Sequence, residues 1–155
     1  MSSVEPTRLD FRPLVSIVDR LHRSLQADMV EDVRRRGHPE FKGSHSLVFA
    51  WLPESGARTA DMAARAGITR QSMGEVVRDL VDLGIVEMTP DPDDGRAKLV
   101  KLTDYGRTIT REGRQHIVEL ERRLAEEVGE EEYAMVRAVL ERATEIVGLP
   151  PELSP

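Results

Sequence analysis

Apolar residues recur at helical spacing through residues 9–36, where Leu14, Ile17, Val18, Leu21, Leu25, Met29 and Val33 share one side. Asp10 is placed to cap the start of this first helix, Pro13 is tolerated in a first turn, and Gly37, His38 and Pro39 end it. A short helix is expected over 44–52, capped by Ser44, with Leu47, Val48 and Trp51 on one face. Thr59 is expected to cap a two-turn helix carrying Met62, Ala63 and Ala66, and Gly67 stands where a left-handed residue closes it. Thr69 caps the next helix, with Met73, Val76, Val77 and Leu80 on its buried side, and Gly84 ends it. Two short helices joined by a glycine turn form a helix-turn-helix pattern.

The period then changes. Residues 85–89 and 98–102 are short β-like runs around the turn-rich stretch PDPDDGRA, which together read as a hairpin. Thr103 is expected to cap a long helix to about residue 128, with Ile109, Ile117, Leu120 and Leu124 as apolar positions. Gly106 and Gly113 each cost that helix about 1 kcal/mol relative to Ala unless they permit close packing. Gly129 breaks it, and a last helix over 131–147 carries Tyr133, Met135, Val136, Val139, Leu140, Ala143 and Val147. The expected fold is mainly α. A winged helix-turn-helix lobe with a small β-hairpin wing occupies 44–103, and long helices at 9–36 and 104–149 flank it. The outer helices are more apolar than one thin core needs, which points to an interface with a second subunit. Leu9, Phe11, Leu14, Val15, Val18, Met135, Val139, Leu140 and Val147 are its candidate residues.

Composition narrows the function. The chain has 155 residues, 39% hydrophobic but only 4% aromatic, which suits one domain of thin helical layers. No apolar run approaches the roughly 18–20 residues that span a bilayer, and MSSVEPTRLD lacks a signal-peptide pattern, so the expectation is a cytoplasmic protein without a membrane partner. The absence of cysteine excludes disulfides, thiolate-held metals and thiol catalysis. The net charge of -6 argues against a nonspecific polyanion binder. Its distribution says more: basic and acidic residues number eight and eight in 1–57, nine and nine in 58–111, and five and eleven in 112–155. The acidic excess therefore lies away from the central lobe.

Arg70, Gln71 and Ser72 open the second helix of the pair, and these side chains can read base edges: Arg pairs with guanine, Gln with adenine, Ser with either donors or acceptors. Gly74 allows close approach to a thymine methyl or the backbone. The same residues also fit an ordinary solvated helix start. In the hairpin, Arg96 is placed to reach a minor groove, with a neighbouring carboxylate extending it; equally, Arg96 balances Asp91, Asp93 and Asp94 in a plain acidic turn.

The stretch from Gly67 to Gly106 resembles the MarR family of bacterial transcriptional regulators. The residues that carry the resemblance are Leu80, Gly84, Ile85 and Val86, then Asp91, Pro92, Asp94 and Arg96, then Leu102, Thr103 and Gly106. The resemblance implies one MarR-like domain over 1–155 and a homodimer on a pseudo-palindromic operator, most simply a ligand-responsive repressor. It places the helix from about Arg70 to Leu83 in the major groove and Arg96 in the minor groove, with Asp94 orienting Arg96. It makes the outer helices dimerisation arms, with a pocket between arms and lobe for a small anionic or aromatic effector.

Thr69, Arg70, Gln71, Ser72, Gly74, Arg78, Asp94, Arg96 and Lys98 are thus the candidate DNA-binding residues, with Arg58, Arg65 and Lys101 as candidate phosphate contacts and Arg107 as a further cation. Arg34, Arg35 and Arg36 either add to that surface or complement a helix C-terminus. Phe41, His45, Phe49 and His116 are candidate pocket residues; the apolar ones, with Trp51, also fit a core stripe. The four histidines, His22, His38, His45 and His116, lack a local two-ligand spacing, so no metal or other cofactor is expected. No nucleophile with a base, phosphate loop or paired carboxylates stands out, so no enzyme is expected. A metal-sensing helical dimer and a winged-helix module for protein partners are the rival readings.

Overall fold

The computed structural model describes residues 12–148. Its elements are α1 (Leu14–Arg35), a 3-10 turn (Gly43–His45), α2 (Ser46–Trp51), α3 (Thr59–Arg65), α4 (Arg70–Asp82), β1 (Val86–Asp91), β2 (Asp94–Leu102), α5 (Asp104–Val128) and α6 (Glu130–Val147). Leu9, Asp10 and Phe11, and residue 149 at the far end, lie outside the described residues. Pro13 occupies the N-cap position of α1 without a side-chain cap.

Two expected caps are not formed. Ser44 sits inside the 3-10 turn, where the Lys42 N–H donates to His45 Nδ1 at 3.1 Å, so α2 begins two residues later. Thr59 is already helical, and Arg58 holds the N-cap position of α3 without a side-chain bond. Two caps form as expected. Thr69 Oγ1 accepts from the Ser72 N–H at 3.1 Å, and Thr103 Oγ1 accepts from the Gly106 N–H at 3.0 Å.

The helix-turn-helix owes its shape to paired helix ends. Gly67 (φ 65°) and Gly84 (φ 68°) are both left-handed. The next residue is an isoleucine in each case: Ile68 donates to the Ala63 carbonyl at 3.1 Å, and Ile85 to the Leu80 carbonyl at 2.9 Å. This bond pattern satisfies the last carbonyls and turns an apolar residue into the core. Ile85 is 2% exposed, and Met62, Met73, Leu80, Val48 and Val100 are fully buried beside it. Each such side chain contributes about 1.5–3 kcal/mol of burial.

The hairpin is longer than expected. β1 and β2 pair antiparallel from Val86 and Leu102 to Pro90 and Lys98, then an irregularity sets Asp91 opposite Asp94. On the other side of β2, Ala57 forms a bridge with Val100. Thr103 and Gly106 join α5 to this lobe: Thr103 Oγ1 donates to the Gly84 carbonyl at 2.7 Å, and a Cβ on Gly106 would lie 2.0 Å from the Ile85 oxygen. The close packing that a helical glycine permits is therefore used at Gly106. Gly113 meets nothing within 4 Å.

α1 and α6 are arms on this lobe. α1 buries only Val30, Asp32 and Val33, all near its C-terminal end, and α6 buries nothing. Leu14, Val15, Ile17, Val18 and Leu21 of α1 and Met135, Val136, Val139, Ile146 and Val147 of α6 are exposed. No helix among the described residues is long and apolar enough to cross a membrane.

Candidate nucleic-acid interface and effector cavity

α4 turns its polar side outward. Thr69, Arg70, Gln71, Ser72 and Arg78 are exposed, and Gly74 is half-buried. The Thr69 and Ser72 hydroxyls share a hydrogen bond at 2.8 Å, and Gln71 Nε2 makes a long contact, 3.4 Å, with Glu75. The Arg78 guanidinium folds back along the helix, with Nη1 3.7 Å from where a Gly74 Cβ would stand. Its path runs over the smallest residue of that face.

In the wing, Arg96 and Lys98 are exposed. Among the described residues, the Arg96 side chain takes part in no ion pair. Asp94 does not hold its guanidinium, contrary to the expectation. Asp94 Oδ1 accepts the Arg96 backbone N–H at 3.1 Å, and Oδ2 lies 3.6 Å from Arg58 Nη2. A carboxylate two residues ahead in a tight turn reaches the backbone more readily than the end of a long side chain.

The other cations divide. Arg65 is exposed at the end of α3, and the Lys101 stem lies over Gly56. Arg58 is engaged by Asp91, Nε to Oδ2 at 2.7 Å, which raises its pKa; Asp91 in turn is lowered by the Asp93 N–H first and by Arg58 second. Arg107 donates to the Leu102 carbonyl and to Asp104 at the start of its own helix. Arg34 donates to the Phe41 carbonyl at 2.8 Å, Arg36 pairs with buried Asp32 at 2.6 Å, and Arg35 lies 3.8 Å from Asp32. The arginine triplet thus secures the end of α1.

A cavity of about 470 Å³ opens where α1 and α5 of the arms meet α2 of the lobe. Phe41, Phe49 and His116 line it, as expected. The pattern gave no sign of Met29, Gln26, Thr110 and Arg114, which also line it, because they come from two helices, α1 and α5, and meet only on folding. His116 is held by α1: Nε2 lies 2.6 Å from Asp28 Oδ2 and Nδ1 3.4 Å from Asp32 Oδ1.

His45 is not part of this cavity, which corrects the expectation. It is fully buried and faces a smaller cleft with Lys42 and Asp79. The 3-10 turn rotates it away: Nδ1 accepts the Lys42 N–H, and Nε2, without a hydrogen-bond partner, stops 3.7 Å from Asp79 Oδ2. Burial first, and Lys42 second, lowers its pKa. No group of three His, Asp or Glu able to hold a metal ion occurs among the described residues.

Known proteins share this arrangement. Residues 41–97 match the sequence profile of the MarR family. An uncharacterized protein of Mycobacterium tuberculosis is 35% identical over 66 residues, which cover 43% of this chain and 46% of that one, so the chain spans about half the length of the curated relatives it matches. Among solved structures, wild-type MarR of E. coli is similar at 18% identity with a TM-score of 0.71, covering 86% of this chain and 98% of its own. The transcriptional repressor CouR bound to a 23-mer DNA duplex is similar at 22% identity and a TM-score of 0.64, covering 85% and 92%. A Mycobacterium tuberculosis MarR family protein in complex with salicylic acid is similar at 22% identity and a TM-score of 0.65, covering 86% and 98%. The winged-helix core over residues 41–97 thus matches the MarR family profile, and the fold of the described residues is that of these solved structures.

Proposed function

We propose that the protein is a sequence-specific DNA-binding repressor that acts as a homodimer on a pseudo-palindromic operator and responds to a small effector. The observation that carries this reading is that the N-terminal half of α4 and the wing residues Arg96 and Lys98 both present exposed polar side chains, on an otherwise acidic chain. Arg70, Gln71, Ser72 and Arg78 suit base edges in the major groove, and Arg96 suits the flanking minor groove. Thr69 completes the helix start, and Arg65 and Lys101 add cations for phosphates.

The exposed apolar residues of α1 and α6 support a second copy as their cover. In a two-fold dimer the recognition helices would stand roughly 34–36 Å apart, one turn of DNA. The cavity supports a small anionic or aromatic effector: its walls are mostly apolar, and Arg114, His22 and His116 bring cationic or hydrogen-bonding groups. Since the cavity joins arms and lobe, an effector that favours one arrangement of the two changes the spacing of the helices. That shift requires different affinities for the two arrangements. A DNA-binding role places the protein with the cell's DNA, in the cytoplasm.

Footprinting and mobility shift on the protein's own upstream region, with and without aromatic acids, test this reading. A protected palindrome with a steep salt dependence is expected, about 0.9 in log affinity per neutralised phosphate. Arg96→Ala should weaken binding by about 1–3 kcal/mol, and Gln71→Ala should relax base preference more than it lowers nonspecific binding. Unchanged affinity in Arg96→Ala returns the wing to a solvated acidic turn.

A further inference from the structure

The wing is fastened to the helix-turn-helix lobe at two levels. At its base, Gly56 (φ +90°) brings the chain against β2: a Cβ there would lie 2.9 Å from the Val100 carbonyl oxygen. Ala57 then exchanges both backbone hydrogen bonds with Val100, at 3.1 and 2.9 Å. At the tip, Arg58 meets Asp91 across 33 positions of sequence, with Nε at 2.7 Å and Nη2 at 2.6 Å from Oδ2. Asp91 is 6% exposed, and its other oxygen accepts the Asp93 N–H at 2.9 Å. Asp94 links this cluster to the next residues, 3.6 Å from Arg58 through one oxygen and bonded to the Arg96 N–H through the other.

An isolated two-stranded hairpin is marginally stable, so its tip needs a tether if it is to present a side chain in one pose. We propose that Arg58 is a positioning residue for the wing: through Asp91 and Asp94 it holds the backbone of Arg96 in the pose from which Arg96 reaches DNA. The inference rests on the DNA-binding function proposed above. It assigns Arg58 a role other than the phosphate contact expected from sequence, and the two roles predict opposite signs. If Arg58 served phosphates, removing the Asp91 charge would release a cation and tighten binding. If Arg58 holds the wing, the same change loosens Arg96, and a pre-organised contact becomes one that must be ordered on binding.

The test uses the full chain and the duplex footprinted with the unaltered protein. Asp91→Asn should weaken binding about tenfold although the chain loses one negative charge, and Arg58→Gln should also weaken it about tenfold. Adding Arg96→Ala to either should cost little more, since the clasp acts through Arg96. Hydroxyl-radical protection should fade at the outer minor grooves and persist where α4 sits, a split that general loss of folding does not produce. In the free protein, amide exchange over residues 93–97 should quicken in both variants while that of Val77 and Leu80 stays slow. Binding of Asp91→Asn equal to or tighter than the unaltered protein, full additivity with Arg96→Ala, or unchanged exchange at the tip overturns the clasp. An unaltered protein that binds no duplex overturns the DNA-binding reading itself, an outcome distinct from these.

Discussion

The winged lobe and the helical arms use their apolar residues in opposite ways. In the lobe, Val48, Met62, Met73, Leu80 and Val100 are sealed within one chain by α2, α3, α4 and the hairpin. In the arms, Val15 is 73% exposed, Met135 68% and Val147 85%, although α1 and α6 are among the longer helices. Helical periodicity alone does not tell a face that packs within a chain from one that packs between chains. The difference lies in what each element meets: the short elements from α2 to β2 pack on one another, whereas the N-terminal half of α1 and all of α6 bury no residue.

Leu80→Ala bears hardest on this contrast. It opens a cavity in the sealed lobe and should cost about 2–5 kcal/mol, read as a lower denaturant midpoint. That is a large part of the 5–15 kcal/mol typical of a domain. On the dimer reading, Val18→Asp with Val139→Asp should do the reverse: leave the lobe's fold intact and raise the dissociation constant of the pair at least about 100-fold, since each places an unpaired charge in the interface. Sedimentation velocity over a concentration series measures it, and an unaffected dimer would show that these faces are not its interface.

Gly106→Ala probes the joint between the two regions. The added methyl would meet the Ile85 carbonyl at 2.0 Å, so helix and backbone must part, at about 1–3 kcal/mol. Gly113→Ala, on the same helix and free of contacts, should be neutral or stabilising in the same melt.

The smallest effect concerns His45. Its pKa is lowered in the folded state, chiefly by burial, so the unfolded chain binds the proton more readily. The stability this lends is present above the unfolded value, about 6.5, and is lost as pH falls from there toward the folded value. His45→Gln should flatten the fall in melting temperature between pH 7 and pH 5, above the range in which Asp79 titrates.

Features set by neighbours in sequence were readable from sequence. The caps Thr69 and Thr103, the left-handed Gly67 and Gly84, and the hairpin's turn formers act within a few residues, and each is found where expected. Ser44 and Thr59 failed as caps because alternatives one or two residues away, the His45 side chain and an earlier helix start, took the local hydrogen bonds. The long-range pairs left no such mark. Arg58 with Asp91, and His116 with Asp28, look like unrelated polar positions until the backbone brings them together.

The order of residues was enough to set helix starts and stops, the outward polar side of α4 and the hairpin, because caps, glycine turns and periodicity are short-range physics. Folding in three dimensions decided which carboxylate holds which arginine, placed His45 in a smaller cleft rather than in the cavity beside α1 and α5, and assembled that cavity from three helices. Those outcomes depend on distances between segments tens of residues apart, which no local preference encodes.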